Sequence, residues 1–224
     1  MEEKETNRLE AFSDGVFAVA ITLLVLSIKV PGLDLPAGKF LKDSDLWQAM
    51  AAEWPMLIAY IISFLTIGII WMNHHRLFIY IKRVNTLLIV LNLLLLLIIV
   101  FIPVPTALLA EYITHPEQRV AALFYCGTFF FLAFFFNLLW RYASYHHQLL
   151  GRHVDTRIVA AISRQYMFGP ILYLAIFGIA WISPSVSIAL TFVLALFFTL
   201  PGQTLRVLTK KDAQPNLAER QETR

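Results

Sequence analysis

Charge is scarce in this chain. Only 15% of its 224 residues are Asp, Glu, Lys or Arg, against 58% hydrophobic, and the mean hydropathy is +0.68. A soluble domain of this size needs a more charged surface than that. Cysteine is almost missing: Cys126 stands alone inside an apolar run, which excludes an intrachain disulfide. No HExxH, no phosphate-binding glycine loop and no nucleophile–base pairing occurs, so the usual signs of an enzyme are lacking. The net charge of +3 does not point to nucleic acid, because the basic residues lie between apolar runs, where membrane topology accounts for them. The N-terminus MEEKETNR is mixed in charge, and no small-residue cleavage site follows the first apolar run. That run is therefore expected to stay in the mature protein.

What is present is hydrophobicity gathered into long blocks. A membrane-crossing helix needs about 20 apolar residues, and the blocks predict spans near 9–30, 50–72, 84–109, 119–141, 165–182 and 184–206. The expected class is an all-α polytopic membrane protein with a six-helix domain over 1–206 and a polar tail over 207–224. Asn7 with Glu10 three residues on predicts an N-terminal capping box for the first span. Pro55 suits the first turns of the second span, where a missing N–H does little harm. Pro103 and Pro105 predict a bend or an end in the third, Pro184 starts the sixth, and Pro201-Gly202 predicts a kink or a frayed end. The segment 142–163 is too polar to cross and reads as a loop or as an extension of the fourth span.

Fourteen of the eighteen Lys and Arg residues fall at the N-terminus, in the 2–3 and 4–5 connections and in the tail; Lys29, Lys39, Lys42 and Arg119 fall on the other side. The positive-inside rule then places both termini in the cytoplasm. An even number of spans requires the same. The expected location is the cell membrane, with the lipid bilayer as surroundings.

The first span poses a question. At 100° per residue, Gly15, Val19, Thr22, Leu26 and Lys29 share one stripe, with Leu23 at its edge. Helix packing accounts for a Gly and a Thr at such positions. Its entrance is harder to explain so simply. Asp14 sits two turns in, where a carboxylate costs free energy unless it is paired or wet, and Ser13 stands beside it. Arg8 by itself is explained by snorkelling and the positive-inside rule. The end of span two, Trp71-Met72-Asn73-His74-His75-Arg76, lies at the same boundary, and Asn85 and Asn92 share a stripe of span three. A network of Arg8, Asp14, Trp71, Asn73 and His74 would satisfy groups that are costly to bury alone.

Arg8-x-x-x-Phe12-Ser13-Asp14 resembles the RxxxFSD signature of the transmembrane protein 175 potassium channels, endolysosomal in animals and shorter in bacteria. Trp71-x-Asn73-His74, the span-three asparagine and the six-span length are similar too. Animal members carry two six-span repeats, and this chain is similar to the bacterial, single-repeat type. The resemblance implies a homotetramer whose first spans line a central pore permeable to potassium and other monovalent cations. It implies no TVGYG filter, and the chain contains none. In its place come an aliphatic constriction and a threonine layer, here Val19, Thr22 and Leu26, with Leu23 as an alternative. Arg8, Phe12, Ser13, Asp14, Trp71, Asn73, His74, Asn85 and Asn92 are then a structural network, and no cofactor is implied beyond the permeant ions. Rings of hydroxyl and aliphatic groups conduct and gate by known physics.

Three rivals compete. A proton- or cation-coupled secondary transporter could use Asp14 and His74 as carriers, but transporters place such groups near the midplane, whereas here they cluster at one boundary. A metal enzyme could draw on His74-His75, His146-His147 and His153, but adjacent histidines point to different sides of a helix. A packing scaffold is the third, and the run from Phe129 to Phe136 suits either lipid contact or packing.

Overall fold

The structure is a computed structural model that describes residues 2–28, 42–112, 115–145, 149–151 and 154–198. It is nearly all helical. The elements are α1 Glu2–Leu23, continued by a 3-10 turn Leu24–Ser27, then α2 Asp43–Ala52, α3 Trp54–Tyr80, α4 Thr86–Phe101, α5 Pro103–Tyr112, α6 Gln118–Ser144, α7 Thr156–Ala180 and α8 Pro184–Phe197. Among the described residues, five stretches are long and apolar enough to cross a membrane: Glu5–Leu26, Trp54–Tyr80, Thr86–Tyr112, Gln118–Ser144 and Thr156–Ala180. The expected sixth crossing appears as α8, whose 14 residues reach only about 21 Å at 1.5 Å per residue. Residues 199–206, which would complete it, lie outside the described residues, as do Lys29, Pro201-Gly202 and the tail 207–224.

Proline placed several boundaries. Pro55 sits in the first turn of α3 and Pro184 begins α8. Pro103 ends α4 at Phe101 and opens α5, so the third span is two helices meeting at Ile102. The start of α1 differs from the expected one. The helix begins at Glu2, so Asn7 lies inside it and caps nothing; Glu and Lys are good helix formers, and early acids favour the dipole. The 142–163 segment divides. Its first residues extend α6 to Ser144, and its last belong to α7, whose N-cap Asp155 accepts a bond from Arg157 N at 2.8 Å. Between them, Leu150 bridges Ile81 in antiparallel fashion, and the amides of Lys82 and Arg83 both donate to the Leu149 carbonyl.

The core gathers around α6, which packs on α4, α5, α7 and α8, while α1 packs on α3 and α4 at the edge of the bundle. Trp140 of α6 is fully buried and donates from Nε1 to Ser163 Oγ at 2.9 Å. The phenylalanine run splits: Phe129 and Phe136 are buried, Phe131 and Phe134 exposed. Large apolar side chains such as Leu97, Ile171 and Ile182 point outward, as helices set in lipid require.

Candidate functional site

One face of α1 is buried and the opposite face is open. Leu9, Ser13, Phe17, Ala20 and Leu24 recur at steps of three and four and pack inward, the spacing of one helical stripe. Gly15, Val19, Thr22, Leu23 and Leu26 lie on the exposed side, with Val19 53% and Leu26 76% exposed. A Cβ added at Gly15 would meet nothing within 4 Å. The candidate stripe therefore turns away from its own subunit. Thr22 Oγ1 donates to the Val19 carbonyl at 2.9 Å. Its proton is used internally, and the oxygen lone pairs are left facing outward as acceptors.

The 3-10 turn alters the stripe. Leu24–Ser27 winds at three residues per turn, so side chains three apart eclipse one another. Leu26 consequently stands in the row of Leu23, whereas a continuous α-helix would place it nearer to Thr22. Leu23, at the stripe's edge by α-helical periodicity, gains a partner in line above it.

The polar groups at the other end of α1 form two clusters in place of one. The inner cluster is buried: Ser13 Oγ donates to the Leu9 carbonyl at 2.8 Å, Asn92 Nδ2 donates to Ser13 Oγ at 2.9 Å, and Asn92 Oδ1 lies 2.9 Å from His74 Nε2. Because the Asn92 amide nitrogen faces Ser13, its oxygen is the acceptor and His74 carries its proton on Nε2. His74 Nδ1 is left buried without a hydrogen-bond partner among the described residues. Phe78 stacks on the imidazole with ring centres 4.5 Å apart, and Phe17 lies tilted at 5.3 Å. Three helices, α1, α3 and α4, thus meet through one hydrogen-bonded chain.

The outer cluster is at the surface. Trp71 Nε1 donates to Asp14 Oδ1 at 2.8 Å, and the indole stacks on His75 at 6.1 Å. His75 Nδ1 in turn meets Glu10 Oε1 at 2.7 Å. Glu10 and His75 are thereby drawn into a contact that the sequence did not suggest, since surface histidines are commonly solvated. The remaining signature residues are placed elsewhere. Arg8 and Phe12 are exposed on α1. Asn85 is the N-cap of α4, accepting from Leu88 N at 2.9 Å and donating to Tyr142 Oη at 2.7 Å. Asn73 points away from both clusters into a cavity between α3, α6, α7 and α8. Glu10 was read as the capping-box partner of Asn7 and Tyr142 as part of a polar connection; nothing in their spacing marks them as partners of His75 and Asn85. Among the described residues no three His, Cys, Asp or Glu side chains converge as a metal site would require.

Residues 8–103 match the family described as endosomal/lysosomal potassium channel TMEM175. A potassium channel of Chamaesiphon minutus is 46% identical over 199 residues, which is 89% of this chain and 96% of that one. A potassium channel of Streptomyces collinus is 40% identical over 95% of this chain and 99% of its own. The crystal structure of a lysosomal potassium-selective channel TMEM175 homolog from Chamaesiphon minutus superposes with a TM-score of 0.76 at 44% identity, over 89% of this chain and 98% of that one.

Proposed function

The chain belongs to the TMEM175 family, and from that premise we propose that it is a potassium-permeable cation channel, conducting passively through a pore that the first helices of four identical subunits line. One observation carries the reading: Val19, Thr22 and Leu26 are exposed on the side of α1 opposite its packed face. A helix at the edge of its own subunit, with an aliphatic and hydroxyl stripe left open, is suited to meet its copies around an axis. Each stripe residue then becomes a ring. Val19, Leu23 and Leu26 supply aliphatic constrictions that gate by dewetting, and Thr22 supplies oxygens that replace part of a cation's hydration shell.

The signature residues hold this helix in place. Ser13 ties it to α4 through Asn92, and Asp14 ties it to α3 through Trp71. Asn85 fixes the start of α4 against α6. In this reading residues 1–206 form a six-crossing domain and 207–224 a tail, both termini are cytoplasmic, and the protein resides in the cell membrane. The distribution of Lys and Arg supports that orientation.

Purified protein reconstituted in potassium-loaded liposomes tests the proposal. Passive potassium flux that Thr22→Ala and Leu26→Ala both change supports it. Flux indifferent to both changes contradicts the pore assignment.

A further inference from the structure

The bundle holds a cavity of about 60 Å³ between α3, α6, α7 and α8, away from α1. Its walls include Leu132, Phe136, Tyr166 and Phe198, with Ala133 and Gly169 leaving the room. Besides the hydroxyls of Tyr166 and Tyr173, its polar side chain is Asn73, only 6% exposed. The Asn73 amide makes no side-chain hydrogen bond to any described residue, although it carries two donors and an acceptor. Burying such a group unpaired is costly, and the cavity that it lines gives room for a partner.

Water fits this site poorly. By the same measure one water needs roughly 10–15 Å³ and two to four polar contacts, so the space holds about four waters, whereas only Asn73, Tyr166 and Tyr173 of the lining residues carry a polar side-chain atom and the rest of the wall is hydrocarbon. A charged ligand fits no better, because no Asp, Glu, Lys, Arg or His among the described residues lines the cavity and an unpaired charge there would be expensive. A molecule with an apolar body and one neutral hydrogen-bonding head satisfies both wall and amide. The surrounding helices α3, α6 and α7 are all long and apolar enough to cross the membrane, so a molecule that partitions into lipid reaches their flanks at high local concentration.

We infer that this cavity binds a small uncharged amphiphile, of the class of a medium-chain alkanol, with its hydroxyl on Asn73 and its chain among Leu132, Phe136 and Tyr166. Asn73 immediately precedes His74, whose bond to Asn92 leads to Ser13 of α1. An occupant therefore sits against the helical turn that holds the first helix in position.

The full chain in liposomes is photolabelled with a diazirine-bearing hexanol, and adducts are located by mass spectrometry; conduction is not needed for the readout. Adducts should concentrate on cavity residues such as Tyr166 and Phe136, and excess unlabelled hexanol should remove most of them. Asn73→Leu should lower cavity labelling roughly 2- to 10-fold, the value of one neutral hydrogen bond. Ala133→Leu, which fills the space and leaves the amide intact, should abolish the competed fraction. Adducts spread over outward residues such as Leu97 and Ile182, without competition, overturn the inference. So does cavity labelling that both folded variants leave unchanged.

Discussion

Asn137 supplies to the Tyr166 carbonyl the hydrogen bond that Pro170 cannot. Pro170 lies within α7, and a proline in a helix has no N–H for the carbonyl four residues earlier. That carbonyl belongs to Tyr166, and Asn137 Nδ2 of α6 donates to it at 2.7 Å. The break in one helix is thus repaired by a side chain from its neighbour, at the most heavily packed helix pair of the bundle.

Asn137→Leu should therefore lower stability by about 1–3 kcal/mol, the cost of an unsatisfied buried carbonyl. In a Pro170→Ala background, where residue 170 regains its N–H, the same change should cost less than half as much. Thermal unfolding of the four proteins in one detergent gives the coupling. Additive costs would show that Asn137 does not serve the proline-broken position.

The inner cluster should behave as a unit. Ser13→Ala leaves the Asn92 amide without its acceptor, and Asn92→Leu leaves the His74 Nε2–H and the Ser13 side chain short of a partner, each at about 1–3 kcal/mol. The double variant should lose clearly less than the two single costs combined, because the second change removes groups already stranded. Melting temperatures of the three variants against the parent measure this.

The outer cluster should matter less to stability. His75 is 51% exposed against Glu10, and exposed pairs of this kind contribute about 0–1 kcal/mol. His75→Ala should shift melting by no more than a degree or two at neutral pH. Trp71→Phe, which keeps an aromatic face for His75 and loses the bond to Asp14, should shift it further. Reversal of that order would place the weight of the surface cluster on Glu10 and His75.

At the open stripe the outcomes concern ions and assembly. Thr22→Ser should retain parental potassium preference and Thr22→Val should change it, since the first keeps the hydroxyl and the second keeps the volume without it. Ion-replacement currents across planar bilayers distinguish the two. Leu26→Cys should form oxidised dimers within a four-subunit particle, because residues of one ring come close across the axis. A monomeric particle, or the absence of any cross-link, contradicts the proposed packing.

Much of this was legible in the residues. Hydrophobic blocks identified the membrane class, and Pro55, Pro103 and Pro184 marked helix boundaries that the structure repeats. Helical periodicity placed Val19, Thr22 and Leu26 on one side of α1, and the structure leaves that side open. Periodicity names a face, however, and cannot name the helix that meets it. Arg8, Asp14, Trp71, Asn73 and His74 were expected in one network because they share a boundary. Their angular positions instead send His74 inward to Asn92, Trp71 outward to Asp14, and Asn73 to a cavity on another side of α3. The pairing of Asn85 with Tyr142 and of Asn137 with Tyr166 joins residues 57 and 29 positions apart, a separation that no local rule spans. The 3-10 turn after Leu23 was hidden for a different reason: leucine and valine suit either winding, so nothing in Leu24–Ser27 selects one locally.

The antiparallel bridge between Ile81 and Leu150 makes two separate connections into a single mechanical part. Residues 149–151, between α6 and α7, are stitched to the far end of α3, two turns beyond His74. A displacement of residues 149–151 is therefore shared by the residues that follow α3, through the bonds of Lys82 and Arg83 to the Leu149 carbonyl and of Gly151 to the Tyr80 carbonyl.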